Sequence, residues 1–480
     1  MKPLHLFFIV ALVLTATLYS GCVDEAQVLN SPGLGNNSVL KYVAVGNSLS
    51  AGYQSNALYE SAQIYSFPNL IATQLKAANA PLGNFEQPLY SDPGNPGADG
   101  KAARYEILSL EGPVIGPAGV APGAPKNTSL ARPYDNLGVP GAVIYDFLDT
   151  TAFALKAVPP RSNPFFQLVL RSSTFGKRML DQAKKLNPDL VTFWLGYNDV
   201  LGYATSGGVS PAAPTSTGLF SVLYNASLDS LRAQLPNAKI VVATIPNVAI
   251  TPYFTTVGPK IKASLPAGVK LVYQKMGEFA TGSGSTDFTE SDAPMICLTG
   301  SSYASLLGRP TGAWYSNNKL AVPAGVDTTK LFGFDTKNPW PNALTFDNAE
   351  RNVAVQSVND LNNVIRATAA RVSNTALADL NVFFDDVAKN GYNALGQKYT
   401  VAYISGGIFS LDGVHPSRRG AGIVANEFIK AINAKWGMTI PLVNVSAIPG
   451  IPAPVTKGSA MPVLSDKALR DIESISRFGW

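Results

Sequence analysis

The stretch YVAVGNSLSAGY (residues 42–53) combines an apolar run with a polar turn at its end. Residues 41–46 have the unbroken apolar and β-branched composition that is typical of a buried strand. The predicted strand ends on a glycine, followed by Asn47 and Ser48. In open parallel sheets, ligands bind beyond the carboxyl ends of the strands. Ser48 therefore stands at a position where a binding or reacting group is expected.

The same alternation of apolar strands and amphipathic helices recurs along the chain. Further strands are predicted at LVTFWLG (190–196), KIVVATI (239–245) and LNVFFDD (380–386). Helices are predicted at 67–79, 141–150, 175–186, 219–235, 346–375 (with Thr345 as its cap) and 418–436. Strands that are apolar throughout indicate a parallel sheet with helices on both faces. The sequence thus predicts an α/β fold.

Two long passages interrupt this alternation. Residues 80–131 are rich in glycine and proline, and residues 252–344 carry many glycines and several aromatic residues. Loops of this length are uncommon in compact domains and tend to be functional or decorative. Both passages are predicted to be insertions in an α/β domain that spans residues 41–437. Residues 438–480 are predicted to be a largely loop-like extension.

The N-terminus indicates export. Lys2 precedes an apolar run of about a dozen residues, which is the pattern of a secretory signal at 1–21 and is too short for a membrane span. Ser20-Gly21-Cys22 resembles a bacterial lipobox, in which the cysteine becomes the lipidated first residue. Residues 22–40 are then predicted to be a polar tether. The protein is predicted to be a membrane-anchored lipoprotein on the periplasmic or outer face of the outer membrane. Ordinary secretion with cleavage nearby is the alternative.

Composition argues against two classes of protein. The chain of 480 residues is 46% hydrophobic, which is too much for a disordered protein. Its formal net charge is +5, and the basic residues form no Lys/Arg-rich run, so nucleic acid is not expected as a partner.

Histidine is scarce, and this narrows the possible chemistry. Of two histidines, His5 lies in the predicted signal, and His415 lies in LDGVHPS (411–417). Asp412 precedes His415 by three residues, so one turn of chain brings its carboxylate to the imidazole. This pairing fixes the tautomer of a general base, which is the group that activates a hydroxyl near neutral pH. Taken alone, each of these residues is more often structural.

Two further segments end near the predicted sheet edge. NLGVPGAV (136–143) contains two glycines, where the backbone approaches a ligand closely. The strand at 190–196 is followed by Tyr197, Asn198 and Asp199. Asn198 is predicted to face Ser48 across one crevice if the two strands are neighbours, whereas Asp199 is expected to be a helix-start or turn residue.

The motifs GNSL, NLGVPG, GYND and DGVH, in this order, resemble blocks I, II, III and V of the GDSL or SGNH hydrolases. The resemblance implies a flavodoxin-like three-layer α/β/α sandwich with parallel strands in the order 2-1-3-4-5. It implies that Ser48 is the nucleophile and that Asp412 and His415 complete the triad. Gly141 and Asn198 match the oxyanion-hole donors, together with the N–H of Ser48. The sequence departs from the family at Asn47, where aspartate is usual, and at Pro140, where serine is common.

The resemblance implies a serine ester hydrolase of the lipase or acylhydrolase type, with a small-molecule or lipid ester as substrate and no metal or cofactor. Tyr197 and residues 202–218 are predicted to line the crevice. The aromatic residues between 303 and 340 form either an apolar wall for acyl chains or the insertion's own core. Two other functions remain open: a carbohydrate O-acetyl esterase, and a non-catalytic surface lipoprotein that binds a glycan or protein partner through residues 80–131 and 252–344.

Overall fold

The structure, a computed structural model, describes residues 31–109, 113–149, 163–208, 213–275, 282–451, 463–465 and 468. The predicted signal (1–21), Cys22 and the first part of the predicted tether lie outside the described residues. Within these ranges, no helix is both long and apolar enough to cross a lipid bilayer.

A five-stranded parallel sheet forms the centre of the molecule. Its strands are β1 (Tyr42–Gly46), β2 (Asn136–Gly138), β3 (Leu190–Trp194), β4 (Lys239–Ala243) and β5 (Thr375–Ala378). The spatial order is β2-β1-β3-β4-β5, and every neighbouring pair is parallel. This order, 2-1-3-4-5, confirms the predicted flavodoxin-like arrangement.

Helices follow most of the strands. Those that the description uses are α1 (Ser48–Ala51), α2 (Phe67–Ala77), α3 (Pro164–Leu170), α4 (Met179–Leu186), α5 (Asn198–Thr205), α6 (Thr217–Gln234), α7 (Asn348–Arg371), α8 (Leu380–Asn390) and α9 (Arg418–Trp436). Shorter α-helices lie at Glu60–Gln63, Pro252–Thr255, Val257–Ser264 and Ala313–Asn317. Single 3₁₀ segments include Ile144–Phe147, Val248–Ile250 and Leu298–Leu306.

The helices cover both faces of the sheet, which makes three layers. Consecutive residues of a strand point to opposite faces, and β3 shows this with its two aromatic side chains. Phe193 packs on Tyr224 of α6, with ring centroids 5.7 Å apart. Trp194 packs on Phe67 of α2 at 5.5 Å and on Phe428 of α9 at 5.8 Å. Helices α4, α6 and α7 therefore lie on one face, and α2 and α9 on the other.

The strand predicted at 380–386 is wrong. Residues LNVFFDD lie in helix α8, and the fifth strand is formed by residues 375–378, of which only the first belonged to the predicted helix 346–375. The side chain of Asp379 caps α8 by accepting the N–H of Val382, and Leu380, Phe384 and Val387 are buried at helical spacing. A short apolar run is compatible with the two-residue period of a strand and with the 3.6-residue period of a helix. Here the cap at Asp379 and the helical spacing of the buried residues favour the helix.

Two helix predictions also need correction. Helix α7 is capped by Asp347 rather than Thr345, and Glu350 completes a capping box by accepting the N–H of Asp347 at 2.8 Å. Thr345 instead lies in a two-residue strand with Phe346. In the predicted helix 141–150, of which residues 141–149 are described, only Ile144–Phe147 is helical, as a single 3₁₀ turn.

The predicted insertions carry most of the peripheral strands. The described strands within the insertions are Tyr105–Ser109, Val114–Pro117, Leu271–Lys275, Gly282–Thr286 and Met295–Ile296. The described peripheral strands outside them are Thr345–Phe346, Tyr392–Ala394, Gln397–Tyr399 and Val463–Leu464. Buried side chains of both insertions belong to one continuous hydrophobic cluster with the central sheet. The proposed domain boundaries stay predictions.

Close backbone packing joins α1 to the edge of the sheet. A Cβ atom at Gly138 of β2 would lie 2.5 Å from the N atom of Ala51, and one at Gly46 would lie 2.0 Å from the Oγ atom of Ser50. Both distances are shorter than any ordinary contact, so each site requires glycine. The two glycines allow α1, which begins with Ser48, to pack directly over the ends of β1 and β2.

Substituting Gly138→Ala is expected to lower the free energy of unfolding by about 1–3 kcal/mol, because the new methyl group overpacks a backbone contact. Urea denaturation measures this change. Gly218→Ala is the matched control, since a Cβ atom there meets nothing within 4 Å. Equal stability of the two variants would contradict the packing argument.

Candidate active site

Ser48 is held in a sharp turn between β1 and α1. Asn47 caps the helix, and its side chain accepts the N–H of Leu49 at 3.0 Å. The carbonyl of Ser48 accepts the N–H groups of Gly52, whose φ is 76°, and of Tyr53 at 3.1 Å. The helix is therefore one turn long, and glycine closes it in the left-handed region that it adopts without strain.

The structure brings Ser48, His415 and Asp412 into one hydrogen-bonded chain. The Nε2 atom of His415 lies 2.9 Å from the Oγ atom of Ser48, across 367 positions of sequence. Its Nδ1 atom lies 3.1 Å from the Oδ2 atom of Asp412. An ionised carboxylate only accepts hydrogen bonds, so Nδ1 carries the proton and Nε2 accepts the Ser48 hydroxyl. The three residues expose only 5–6% of their surface.

Asp412 accepts hydrogen bonds on both carboxylate oxygens. Its Oδ1 atom receives the N–H groups of Val414 at 2.9 Å and His415 at 2.8 Å. Its Oδ2 atom receives His415 Nδ1 and the backbone N–H of Asn56, the latter at 3.0 Å. Burial by itself raises the pKa of a carboxyl, but the electrostatic interaction with His415 and these hydrogen bonds lower the pKa of Asp412 below its ordinary value. Asp412 is thus ionised at neutral pH.

Asn56 is a part of the site that sequence reasoning missed. Ser55 and Asn56 both have positive φ, 49° and 66°, in a tight turn closed by hydrogen bonds between Gln54 and Ala57. Ser55 N–H donates to the Oγ atom of Ser410 at 2.9 Å, beside the Asn56 bond to Asp412. The turn therefore fixes the loop that carries Asp412. Asparagine favours left-handed turns, but no local signal names Asp412 as the acceptor.

The predicted oxyanion residues lie on adjoining segments, Gly141 in a turn and Asn198 at the start of a helix. Gly141 has a φ of 81° in the turn after β2. The side-chain amide of Asn198, at the start of α5, donates to the carbonyl of Ala142 at 2.9 Å. On the side of Ser48, the N–H of Val139 donates to the carbonyl of Gly46 at 3.0 Å. These bonds join the ends of β1, β2 and β3 into one edge of the sheet.

Asp199 supports the same loop from beneath. It lies in the first turn of α5, as expected for a helix-start residue, but it is fully buried. Its carboxylate accepts the N–H of Ile144 at 3.1 Å and the hydroxyl of Thr215 at 2.8 Å. Burial raises the pKa of Asp199 to about 7, although these two hydrogen bonds act in the opposite direction. Asp199 therefore positions the segment that follows Gly141.

The raised pKa of Asp199 predicts a pH dependence of stability. Its carboxyl binds a proton more tightly in the folded state than in the unfolded state. The protonated carboxyl therefore contributes to the free energy of unfolding below about pH 4, and this contribution is lost as the pH rises to about 7. The variant Asp199→Asn keeps an acceptor for Ile144 and is neutral at every pH. We expect the wild type to lose stability relative to this variant between pH 4 and 7. Chemical denaturation at several pH values measures the difference, and parallel profiles would refute it.

A cavity of about 590 Å³ flanks the Ser48–His415–Asp412 chain. It is formed by Tyr53 and Asn56, by the insertion 80–131 and by α3 with the residue that follows it. The aromatic residues in its wall are Tyr53, Tyr90 and Phe165. Tyr197 and the segment 202–218 were predicted to line the crevice, but neither Tyr197 nor the described residues of that segment (202–208 and 213–218) are in this wall. The wall also lacks the aromatic residues of 303–340, among which Phe332 and Trp340 are buried and pack on each other at 5.5 Å. These two belong to the continuous hydrophobic core that the insertion shares with the central sheet.

Comparison with known families agrees with the fold and with the family that the motifs resemble. Residues 42–428 match the model of a family described as GDSL-like Lipase/Acylhydrolase. The match covers most of the chain, and the chain belongs to this family. The fold and family together support hydrolase activity.

Solved structures with similar chains include a putative GDSL-like lipase from Parabacteroides merdae ATCC 43184, which is 13% identical with a TM-score of 0.33. They also include LAE5, described as an alpha/beta hydrolase enzyme from the metagenome of Lake Arreo, Spain, which is 12% identical with a TM-score of 0.33. Each alignment covers 84% of this chain and 99% of the other. A carbohydrate esterase family 3 protein from Talaromyces cellulolyticus is 12% identical, with coverage of 82% and 99% and a TM-score of 0.31. No curated protein gives a significant match.

Proposed function

We propose that this protein is a carboxylic ester hydrolase in which Ser48 is the nucleophile and His415 the general base. Asp412 orients the imidazole. The observation that carries the proposal is the continuous chain from Ser48 Oγ to His415 Nε2, at 2.9 Å, and from Nδ1 to Asp412, at 3.1 Å. A serine hydroxyl bonded to the free nitrogen of an oriented imidazole is the arrangement that activates serine for acyl transfer.

The reaction follows from the roles of these groups. Ser48 Oγ attacks the ester carbonyl carbon while its proton passes to His415 Nε2, and a tetrahedral oxyanion forms. The carbon–oxygen bond to the alcohol then breaks, and His415 gives its proton to the departing oxygen. Water attacks the acyl-serine with His415 again as base, which releases the carboxylic acid and restores Ser48. The ionised Asp412 stabilises the imidazolium in both halves.

Three donors are proposed for the oxyanion: the backbone N–H groups of Ser48 and Gly141 and the side-chain amide of Asn198. The Asn198 amide has two hydrogens, and its bond to the carbonyl of Ala142 uses one of them and orients the other. Removing one such donor from a comparable site costs about 3–4 kcal/mol of transition-state stabilisation.

The two departures from the family's motifs are compatible with this mechanism. Asn47 caps α1 through its carbonyl oxygen, which a neutral amide supplies as well as a carboxylate does. The carbonyl of Pro140 is held by the side-chain amide of Asn163 at 2.7 Å. Proline has no N–H, but the proposed donor is the N–H of the next residue, Gly141.

The substrate that the site favours is a lipid or medium-chain ester. The supporting observation is the cavity of about 590 Å³ beside His415, whose wall includes three aromatic rings. Apolar walls with few polar groups suit apolar ligands. A carbohydrate O-acetyl esterase and a non-catalytic binding protein remain the competing functions.

The variant Ser48→Ala should lose at least about 10³-fold in kcat on p-nitrophenyl esters, because the nucleophile is gone while the oxyanion donors remain. Ser50→Ala is the matched control: Ser50 is buried two residues away, and its hydroxyl has no hydrogen-bond partner among the described residues. A fluorophosphonate probe should label the wild type and Ser50→Ala, but neither Ser48→Ala nor His415→Ala. Equal hydrolysis by wild type and Ser48→Ala would exclude the enzyme and leave the binding function.

We also propose that Cys22 is lipidated and that it anchors the protein to the bacterial outer membrane, on its periplasmic or outer face. The support is the sequence of a signal followed by Ser20-Gly21-Cys22. Cells fed radiolabelled palmitate should label the wild type but not Cys22→Ser, and the variant should move from the membrane to the soluble fraction. Membrane retention of the variant would refute the anchor.

A further inference from the structure

Two residues that line the cavity also contact the proposed catalytic residues. The ring of Tyr53, which lines the cavity, lies 4.9 Å from the ring of His415. Asn56 also lines the cavity, and its backbone N–H is the one that binds Asp412. Ser48 and His415 themselves do not line the cavity. The cavity therefore lies next to the reacting hydroxyl, and Tyr53 lies between the cavity and His415.

The opposite wall is connected to the proposed oxyanion loop. Phe165 of α3 packs edge-on against Tyr53, with ring centroids 5.9 Å apart. The N–H of Phe165 donates to the side chain of Asn163 at 3.0 Å, and the Asn163 amide holds the carbonyl of Pro140 at 2.7 Å. The cavity is thus fixed relative to both sides of the site where an ester carbonyl would react.

The polar groups in the wall are largely engaged in holding the protein together. The Asn56 amide donates to the carbonyl of Ala103 at 3.2 Å. The side chain of Asn95 accepts the N–H of Leu58 at 2.7 Å and donates to the carbonyl of Pro96 at 3.1 Å.

Arg171 is engaged in the same way through its two terminal nitrogens, whereas its buried Nε atom has no hydrogen-bond partner among the described residues. Its Nη1 atom donates to the carbonyls of Thr128 and Leu130 at 3.1 and 2.7 Å, and its Nη2 atom to that of Arg132. Its guanidinium group also lies 4.0 Å from the ring centroid of Tyr134. A ligand with many hydroxyl groups needs several available donors and acceptors, whereas this wall offers mainly aromatic and aliphatic surface.

We propose that this cavity is the subsite for an apolar group on the alcohol side of the ester, an inference that rests on the proposed function. His415 delivers its proton to the departing oxygen, so the group attached to that oxygen lies on the side of the imidazole. Tyr53 packs against that ring and forms the boundary with the cavity. A volume of about 590 Å³ is in the range of small-molecule sites and accommodates a medium-chain alkyl or aryl group.

The substitution Ala98→Trp tests this subsite by filling it. Ala98 is an exposed residue of the cavity wall, so the variant is expected to fold. Ala121→Trp is the matched control, because Ala121 is also exposed in the insertion 80–131 but is not in the wall. The measurement is kcat/KM by pH-stat for ethyl, hexyl and decyl acetate, and for ethyl hexanoate and ethyl decanoate.

In the wild type, kcat/KM should rise along the acetate series. Ala98→Trp should lower it about tenfold for hexyl and decyl acetate and less than about twofold for ethyl acetate, while Ala121→Trp matches the wild type. A loss confined to ethyl hexanoate and decanoate would overturn the assignment to the alcohol side. No selective loss in either series would overturn the subsite altogether.

A binding measurement separates this inference from the proposed function. Titration calorimetry of 2-naphthol with Ser48→Ala needs no turnover, and adding Ala98→Trp to that variant should weaken binding about tenfold. Failure of the hydrolase proposal appears as equal hydrolysis with and without Ser48. Failure of the subsite appears as naphthol binding that is absent, or that the Ala98→Trp substitution leaves unchanged, whatever the hydrolysis result.

Discussion

The hydrogen bond between Ser48 Oγ and His415 Nε2 depends on the alignment of the carboxyl ends of the strands. Gly46 pairs in register with Gly138 on one side and Trp194 on the other, so three strands end at one level. The glycines at 46 and 138 then let α1 pack over this edge. A bulkier residue at either position would displace Ser48, and a 2.9 Å bond tolerates little displacement.

The loop that carries Asp412 and His415 is held from two directions. The turn at residues 55–56 donates to Ser410 and Asp412, and the carbonyl of Gly413 accepts the N–H of Tyr253 at 3.0 Å. One support thus follows directly after α1, and the other comes from the start of the insertion 252–344. A buried carboxylate is costly unless its oxygens are satisfied, and the four hydrogen bonds to Asp412 meet that requirement.

The two predicted insertions play different parts. Residues 80–131 help to form the cavity beside the site, and through Ala103 they also hold the side chain of Asn56. In the insertion 252–344, Phe332 and Trp340 are buried against each other, and its connection to the site is structural, through Tyr253. Of the described parts of the two insertions, the first lines the cavity, and under the proposed function it influences which ester enters.

The sequence by itself determined the α/β class, the central strands β1, β3 and β4 and the presence of the four motifs, because these depend on local periodicity and on residues within a few positions of each other. The sequence did not predict β2, because NLGVPGAV (136–143) was interpreted as two glycines leading into a helix. It did not locate β5, since the apolar run at 380–386 fits a strand or a helix equally until Asp379 caps it against the core. Nor did it reveal the role of Asn56, because the group that binds Asp412 is a backbone N–H, which every residue except proline carries. Tertiary structure alone decided which N–H meets that carboxylate and which loop encloses the cavity, because both depend on contacts between segments distant in sequence.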